Sequence, residues 1–154
     1  MPKIDPSAAP KGSGTRYPKP FDEPCKKRQW LKLGDAAGLT QFGVNRVRLE
    51  PGVWSSQRHW HTLEDEFVYV LEGELVLVTD EGEETLVAGD CAGFKAGIPN
   101  GHCLQNRSSN DAVFLAVGTR NDDDGGEYSD VDLVFKSGRY TGRGGYTKKD
   151  GTPY

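Results

Sequence analysis

Three histidines and one glutamate are the residues of this chain whose types and spacing could do chemistry. His59 and His61 lie two positions apart in a predicted strand, so both imidazoles should leave the same face. At the rise of a strand their Cα atoms would be about 6.7 Å apart, and both rings could then bind one metal ion at about 2.1 Å. The chain has only one further histidine, His102. The pair therefore predicts half of a metal site.

Glu66 and His102 are the predicted remaining ligands. Glu66 opens the apolar run that follows His61, and a carboxylate at the exit of a hairpin can fold back beside the two histidines. We interpret the preceding Glu64 and Asp65 as a solvated turn. His102 follows a glycine-containing loop, and a neighbouring strand would bring it to the site. Three nitrogens and one carboxylate suit one divalent ion, Zn, Fe, Mn or Ni, and the residues do not choose among them.

The elements that must position these ligands are short strands. Apolar runs of strand length alternate with turn residues such as Pro51-Gly52 and Glu72-Gly73. Many short strands with frequent turns predict an all-β barrel or sandwich. The predicted strands are Phe42–Leu49, Trp54–His61, Glu66–Leu71, Glu74–Thr79, Thr85–Val87 and Ala112–Val117.

Composition divides the chain into three parts. Residues 1–38 carry six prolines within the first 24 positions and predict an extended N-terminal arm. Residues 39–120 hold the predicted barrel. Residues 121–154 begin with an acidic loop, continue with a candidate strand at Val131–Phe135 and end in a glycine-rich arm.

Charge and composition argue against several classes of function. The 19 Lys and Arg against 23 Asp and Glu give a net charge of −4, and no basic stripe is present, so we predict no nucleic-acid partner. The single RGG-like piece at residues 143–145 is interpreted as a flexible loop. No apolar run of membrane-spanning length and no secretory signal is readable. Cys25, Cys91 and Cys103 form no even set or CxxC pair, which indicates reduced structural thiols and a cytoplasmic protein.

The order and spacing of the site residues resemble the two sequence motifs of the cupins. The first motif is matched by Gly52, His59, His61, Glu66 and Gly73, and the second by Gly89, Gly97, His102 and Asn106. Lys95 stands where the family usually has proline, and two extra residues precede His102. The resemblance implies a double-stranded β-helix, or jelly-roll barrel, with extended N- and C-terminal arms. It also implies one metal ion in the mouth of the barrel, bound by His59, His61, Glu66 and His102.

Neighbours of the ligands are predicted to bind substrate. Strand alternation places Ser55 and Gln57 on the face of His59 and Asn106 on the face of His102. Lys95, near the predicted mouth of the barrel, could hold an anionic substrate or donate a proton; the alternative is an ordinary surface lysine.

Two functions are consistent with such a barrel. The first is a metalloenzyme that acts on a small oxygenated molecule, sugar-like or a hydroxy acid, by isomerase, lyase or oxygenase chemistry, with Glu66 as ligand and catalytic base. The second is a non-catalytic module that binds or senses a small molecule. A barrel without metal would require the three histidines and Glu66 to match the motif by accident. We also predict a homodimer, because exposed strands and long arms are often covered by a second copy.

Overall fold

The computed structural model describes residues 3–154, and antiparallel strands dominate it. The predicted all-β fold is confirmed. One short helix, α1 (Leu33–Ala36), and two 3-10 turns, Pro6–Ala8 and Glu23–Cys25, interrupt the strands. The strands are β1 (Lys11–Ser13), β2 (Gln29–Lys32), β3 (Phe42–Leu49), β4 (His59–His61), β5 (Glu66–Glu72), β6 (Glu74–Thr79), β7 (Gly82–Val87), β8 (Cys91–Phe94), β9 (Cys103–Gln105), β10 (Ala112–Thr119), β11 (Gly126–Tyr128), β12 (Val134–Phe135) and β13 (Tyr146–Thr147).

The strands form three sheets. The largest has six strands in the order β1-β2-β3-β10-β5-β8, the second has the order β13-β12-β11-β4, and the third has the order β7-β6-β9. Every pairing of these strands is antiparallel. The ligand-bearing β4 and β5 therefore belong to different sheets, and the site must lie where those sheets meet.

Alternating side chains build the main core between the six-stranded and three-stranded sheets. On β5, Val68 and Val70 are buried, whereas Phe67 and Tyr69 are exposed on the other face. Leu75 and other inward residues of the facing sheet complete the same cluster. A strand with one buried face must place Glu66 on that inner side as well, because side chains two apart share a face.

The N-terminal segment contributes two strands to the largest sheet. Strand β2 pairs with β3, with Trp30 opposite Val47, and β1 extends the sheet by pairing with β2. Composition alone pointed to an arm because prolines surround these strands. Pro2, one of the six prolines of the prediction, lies outside the described residues.

The C-terminal segment also packs against the body of the protein. Strands β11 to β13 continue the sheet from β4, and Tyr128, Leu133 and Phe135 form a second buried cluster. Tyr17 and Phe21 from the N-terminal segment pack against it. The two terminal segments therefore meet beside the ligand-bearing strand.

Two predicted strands are shorter in the structure. The run Trp54–His61 is a strand only at β4, because Trp54 and Ser55 are held by the β9 strand through a bridge to Gln105 and a hydrogen bond to the Leu104 carbonyl. The candidate strand Val131–Phe135 is reduced to β12. Within residues 3–154, no helix has the length and apolar character needed to cross a membrane.

Candidate metal centre

Backbone pairing brings the three histidines together. In β4, His59 and His61 project from the same face, as the spacing predicted. His102 lies directly opposite His59: each residue's amide donates to the other's carbonyl, at 3.2 and 2.9 Å. Glu66, the first residue of β5, reaches the same place from the largest sheet. Three separate segments thus supply four candidate ligands.

The donor atoms converge on one small volume. The Nε2 atoms of His59 and His61 are 3.2 Å apart. Glu66 Oε2 lies 2.8 Å from His102 Nε2, 3.3 Å from His61 Nε2 and 3.8 Å from His59 Nε2. Donors bound at about 2.1 Å to one ion stand roughly 3.0 to 3.4 Å apart in octahedral or tetrahedral arrangements. His59, His61 and Glu66 therefore form a group that could hold a divalent metal ion, and His102 Nε2 contacts the Glu66 oxygen of this group.

The side chain of His102 makes one hydrogen bond within residues 3–154, through Nε2 to Glu66. Its ring stacks on Phe94 with centroids 3.6 Å apart and planes 2° from parallel, and its buried Nδ1 has no hydrogen-bond partner among those residues. Only Nε2 is engaged, and it points to Glu66. Stacking fixes the ring plane while leaving this nitrogen directed at the cluster.

Asp124 orients the second histidine from behind. Its Oδ2 lies 2.7 Å from Nδ1 of His61, and its Oδ1 accepts hydrogen bonds from the Leu63 amide and the Thr62 hydroxyl. The carboxylate is 2% exposed. A carboxylate on the far nitrogen of an imidazole fixes its tautomer and ring orientation and leaves Nε2 free for a metal. This arrangement is typical of histidine ligands in metal sites.

Glu64 is buried, contrary to the prediction of a solvated turn. It is 3% exposed, it contacts the guanidinium of Arg139, and it accepts hydrogen bonds from the Tyr140 hydroxyl and the Asn121 amide. These partners belong to the C-terminal segment, and they compensate the free-energy cost of burying the Glu64 carboxylate. Asp65 is exposed, as predicted, and its Oδ1 accepts from the Ala96 amide.

Burial and hydrogen bonding shift the pKa values of three groups in the cluster. Burial lowers the pKa of His59 to about 3, so this imidazole is neutral at neutral pH. Burial also opposes charge on His61, but hydrogen bonds to Asp124 and Glu66 raise its pKa to about 9. Burial by itself would raise the pKa of Glu66; hydrogen bonds from His102 and His61 hold it well below its usual range. Glu66 is therefore a carboxylate at neutral pH.

The cluster opens into a cavity of about 700 Å³. Its aromatic wall comes largely from the terminal segments, with Tyr128 5.5 Å from the ring of His59 and Tyr17 5.3 Å from Tyr128. Of the predicted substrate residues, Ser55 lines this cavity, and its hydroxyl accepts a hydrogen bond from the Leu104 amide. Lys95 is exposed and lines a smaller cavity of about 230 Å³ on another side of the cluster.

The structure places Gln57 and Asn106 away from the large cavity. Gln57 is buried and donates to the Phe21 carbonyl at 2.8 Å. Asn106 is 0% exposed, and its amide donates to the carbonyls of Leu49 and Asn110. Neither residue lines the large cavity, and the amide nitrogens of both side chains are engaged by backbone carbonyls. Alternation failed because both residues lie beyond the ends of their strands, where the period of two no longer applies.

Asp124, Glu64 and Arg139 are site residues that sequence reasoning missed. Asp124 is 63 positions from His61, and nothing in the acidic run Asp122–Asp124 distinguishes the buried member from the exposed Asp123. The contact follows from the pairing of β4 with β11, which places Gly126 opposite His61 and brings Asp124 close to that histidine. An antiparallel partner for β4 was not predicted from the sequence.

Comparison with known proteins gives related structures. The family model described as Cupin domain matches residues 45–118. A cupin-superfamily sugar phosphate isomerase from Silicibacter pomeroyi is 49% identical, the similarity covers 99% of this chain and 96% of that one, and the TM-score is 0.93. A candidate sugar phosphate isomerase from Acidithiobacillus ferrooxidans is 28% identical over 83% of this chain and 80% of its own, with a TM-score of 0.75.

More distant structures share the fold alone. The polyketide cyclase RemF from Streptomyces resistomycificus is 22% identical over 77% of this chain and 79% of its own, with a TM-score of 0.62. No curated protein matches the sequence at a significant level.

Proposed function

The chain belongs to the cupin superfamily, and we propose that it is a metal-dependent isomerase of a small, sugar-like hydroxycarbonyl compound. The observation that carries the proposal is the grouping of the His59 and His61 nitrogens with Glu66 Oε2, which His102 Nε2 also contacts, beside a cavity large enough for such a molecule. The similarity to a sugar phosphate isomerase over nearly the whole chain supports isomerase chemistry over the lyase and oxygenase forms.

The proposed ligands are His59, His61, Glu66 and His102, which would hold one divalent ion, Zn, Fe, Mn or Ni. Such an ion supplies Lewis-acid polarisation of a carbonyl or hydroxyl oxygen. Asp124 keeps the ring of His61 directed at the ion. The aromatic wall around Tyr128 excludes water from the substrate.

Glu66 is the proposed base. Its contacts with the three imidazoles all run through Oε2, which leaves Oε1 as the oxygen that can take a proton. In an isomerisation Oε1 takes the proton from the carbon next to the carbonyl and returns it to the former carbonyl carbon. A hydroxyl proton moves to the former carbonyl oxygen, so that no oxidant or reductant is needed. General base catalysis of this kind contributes about 10²- to 10⁴-fold in rate.

The test is turnover of aldoses, ketoses and their phosphates by the metal-loaded protein in D₂O, followed by NMR. We expect isomerisation with deuterium entering the substrate carbon that exchanges its proton. The Glu66→Gln variant should lose at least about 100-fold in rate, whereas Glu83→Gln, whose carboxylate pairs with Arg107 on the surface, should not. Saturable binding of these compounds without turnover would overturn the isomerase proposal and favour the non-catalytic binding module.

Ser55 and Lys95 remain proposed substrate contacts. Ser55 lines the large cavity, and Lys95 lines the smaller cavity together with His61 and Glu66. Ala substitution of each should raise KM more than it lowers kcat, because each would bind ground state and transition state alike. A pure loss of kcat would assign them another role.

We further propose that the protein is a cytoplasmic homodimer. Phe67, Tyr69 and Leu71 are exposed side by side along β5, which is the kind of apolar face that a second copy covers. All three cysteines are free, which is consistent with a reducing compartment. Light scattering after size exclusion should give twice the chain mass; a monomer at micromolar concentration would contradict the dimer.

A further inference from the structure

The lining of the large cavity carries an unbalanced positive charge. Among its side chains are four lysine or arginine residues and one carboxylate, Glu66. Two of the cations have acidic partners: Arg139 contacts Glu64, and Lys32 lies 3.8 Å from Asp35. The other two, Arg16 and Arg28, have no carboxylate within 4.0 Å among residues 3–154. Both of them come from the N-terminal segment.

Arg28 is held in place without being neutralised. One terminal nitrogen donates to the Ser55 carbonyl and the other to the Gly14 carbonyl, at 3.1 Å, and both acceptors are uncharged backbone groups. Its buried Nε has no hydrogen-bond partner within residues 3–154. A guanidinium fixed in this way lacks the anion that would ordinarily compensate its charge.

Two further polar features lie near this guanidinium. Asn45 lines the same cavity, and its buried Oδ1 also lacks a hydrogen-bond partner in the described part of the chain. Arg16 is exposed, and its side chain makes no hydrogen bond within residues 3–154. The cavity therefore holds one cation that is fixed by backbone carbonyls and one that is exposed and without an acidic partner among residues 3–154.

An aromatic path connects this charged end of the cavity to the candidate ligands. Tyr17 follows Arg16 in the chain, packs 5.3 Å from the ring of Tyr128, and Tyr128 packs 5.5 Å from the ring of His59. Arg16, Arg28 and Glu66 line this one cavity, so a molecule bound in it could contact the arginines and Glu66 together.

We propose that Arg16 and Arg28 form a subsite for the oxyanion, phosphate or carboxylate, of the substrate. The proposal rests on the proposed function in that the other end of the same molecule would react at Glu66. A phosphate on a sugar-like substrate would then bind to the N-terminal segment, outside the conserved spacing of the metal-binding motifs, and would orient the substrate in the cavity. Bidentate guanidinium contacts give such recognition both strength and direction.

The test is titration of the full-length, metal-stripped protein with inorganic phosphate and, separately, with acetate, at low ionic strength, by NMR or calorimetry. Stripping the metal removes it as a second anion site. We expect saturable phosphate binding that weakens at least 10-fold in Arg28→Met and 3-fold or more in Arg16→Met, with Arg28→Lys intermediate. Arg46→Met is the control, since Arg46 pairs with Glu72 and does not line the cavity, and it should bind as the wild type does.

The titration can support the anion subsite or overturn it. Saturable acetate binding without phosphate binding would support the subsite and assign a carboxylate substrate. No saturable binding of either ion, or unchanged binding in both Arg16→Met and Arg28→Met, would overturn it. Arg16→Met keeps the test decisive if Arg28→Met fails to fold, because the Arg16 side chain makes no hydrogen bond in the part of the chain that the structure describes. Since neither metal nor turnover is involved, phosphate binding with no isomerase activity would remove the proposed function and leave the subsite.

Discussion

Asp124 is the residue whose effect on the centre is most specific. It contacts His61 at the nitrogen that faces away from the cluster, so it influences the metal only through the imidazole. We expect Asp124→Asn to weaken metal affinity about 10- to 100-fold while the fold is retained. The measurement is a competition titration against a chromophoric chelator.

Asp123→Asn is the matched control for this substitution. Asp123 is the preceding residue, it is exposed, and the same change in charge there leaves His61 untouched. Equal metal affinities for Asp124→Asn and the wild type would show that Asp124 does not position the ligand.

The three cysteines should differ sharply in reactivity. Burial raises the pKa of Cys25 to about 12 and that of Cys103 to about 11, whereas Cys91 is exposed. Only the thiolate is nucleophilic, so at pH 8 the two buried residues remain unreactive thiols. Iodoacetamide should add one label to the native protein and three after denaturation, as counted by mass spectrometry. Rapid labelling of Cys25 or Cys103 in the native state would contradict their burial.

Sequence reasoning could name the candidate ligands because their signal is local or belongs to a motif. His59 and His61 share a strand, and His102 and Glu66 stand at the remaining ligand positions of the cupin pattern. The supporting residues Asp124 and Arg139 could not be predicted, since their contacts join segments more than 60 positions apart. Periodicity also failed for Asn106, which follows the end of β9 and turns into its own loop.

At the scale of elements, the pairing of β4 with β11 fixes the two histidines of the strand. Gly126 lies opposite His61, and a Cβ atom there would come within 2.0 Å of the Trp60 carbonyl and 2.6 Å of the Phe135 ring. Gly126→Ala must therefore displace β11 from β4. We expect a loss of about 1 to 3 kcal/mol in the free energy of unfolding, measured by urea denaturation, together with weaker metal binding.

Gly145→Ala provides the comparison for this change. It lies in the same C-terminal segment, and a Cβ atom there would meet nothing within 4 Å. Its free energy of unfolding should stay within about 0.5 kcal/mol of the wild type. Equal stability of the two variants would show that the close packing around Gly126 does not hold the strand.

The elements of the barrel were more predictable than those outside it. Strand β3 and strand β6 have the predicted bounds, because alternation and flanking turns define them. The predicted all-β cupin barrel is confirmed by the architecture and by the related structures. Strands β1, β2, β11 and β13 were not predicted, because proline and glycine dominate the composition around them and their stability comes from long-range pairing.

At the scale of the whole molecule, the terminal segments complete the cavity that the barrel begins. The candidate metal ligands come from within residues 39–120, whereas Tyr17 and Tyr128 of the aromatic wall and the buried Asp124 come from the flanking segments. The division into a barrel and two arms follows from composition, but residues of all three parts contribute to the candidate site. The candidate metal centre and its cavity are therefore built from all three parts of the chain.

The central claim is that His59, His61, Glu66 and His102 bind one divalent ion. Elemental analysis of untagged protein, purified without added metal, tests it directly when wild type is compared with the His59→Ala, His102→Ala double variant. We predict about one Zn, Fe, Mn or Ni per chain in the wild type, as four ligands around a single ion require, and its loss in the double variant. Metal-free wild type that takes up no ion on titration would contradict the claim.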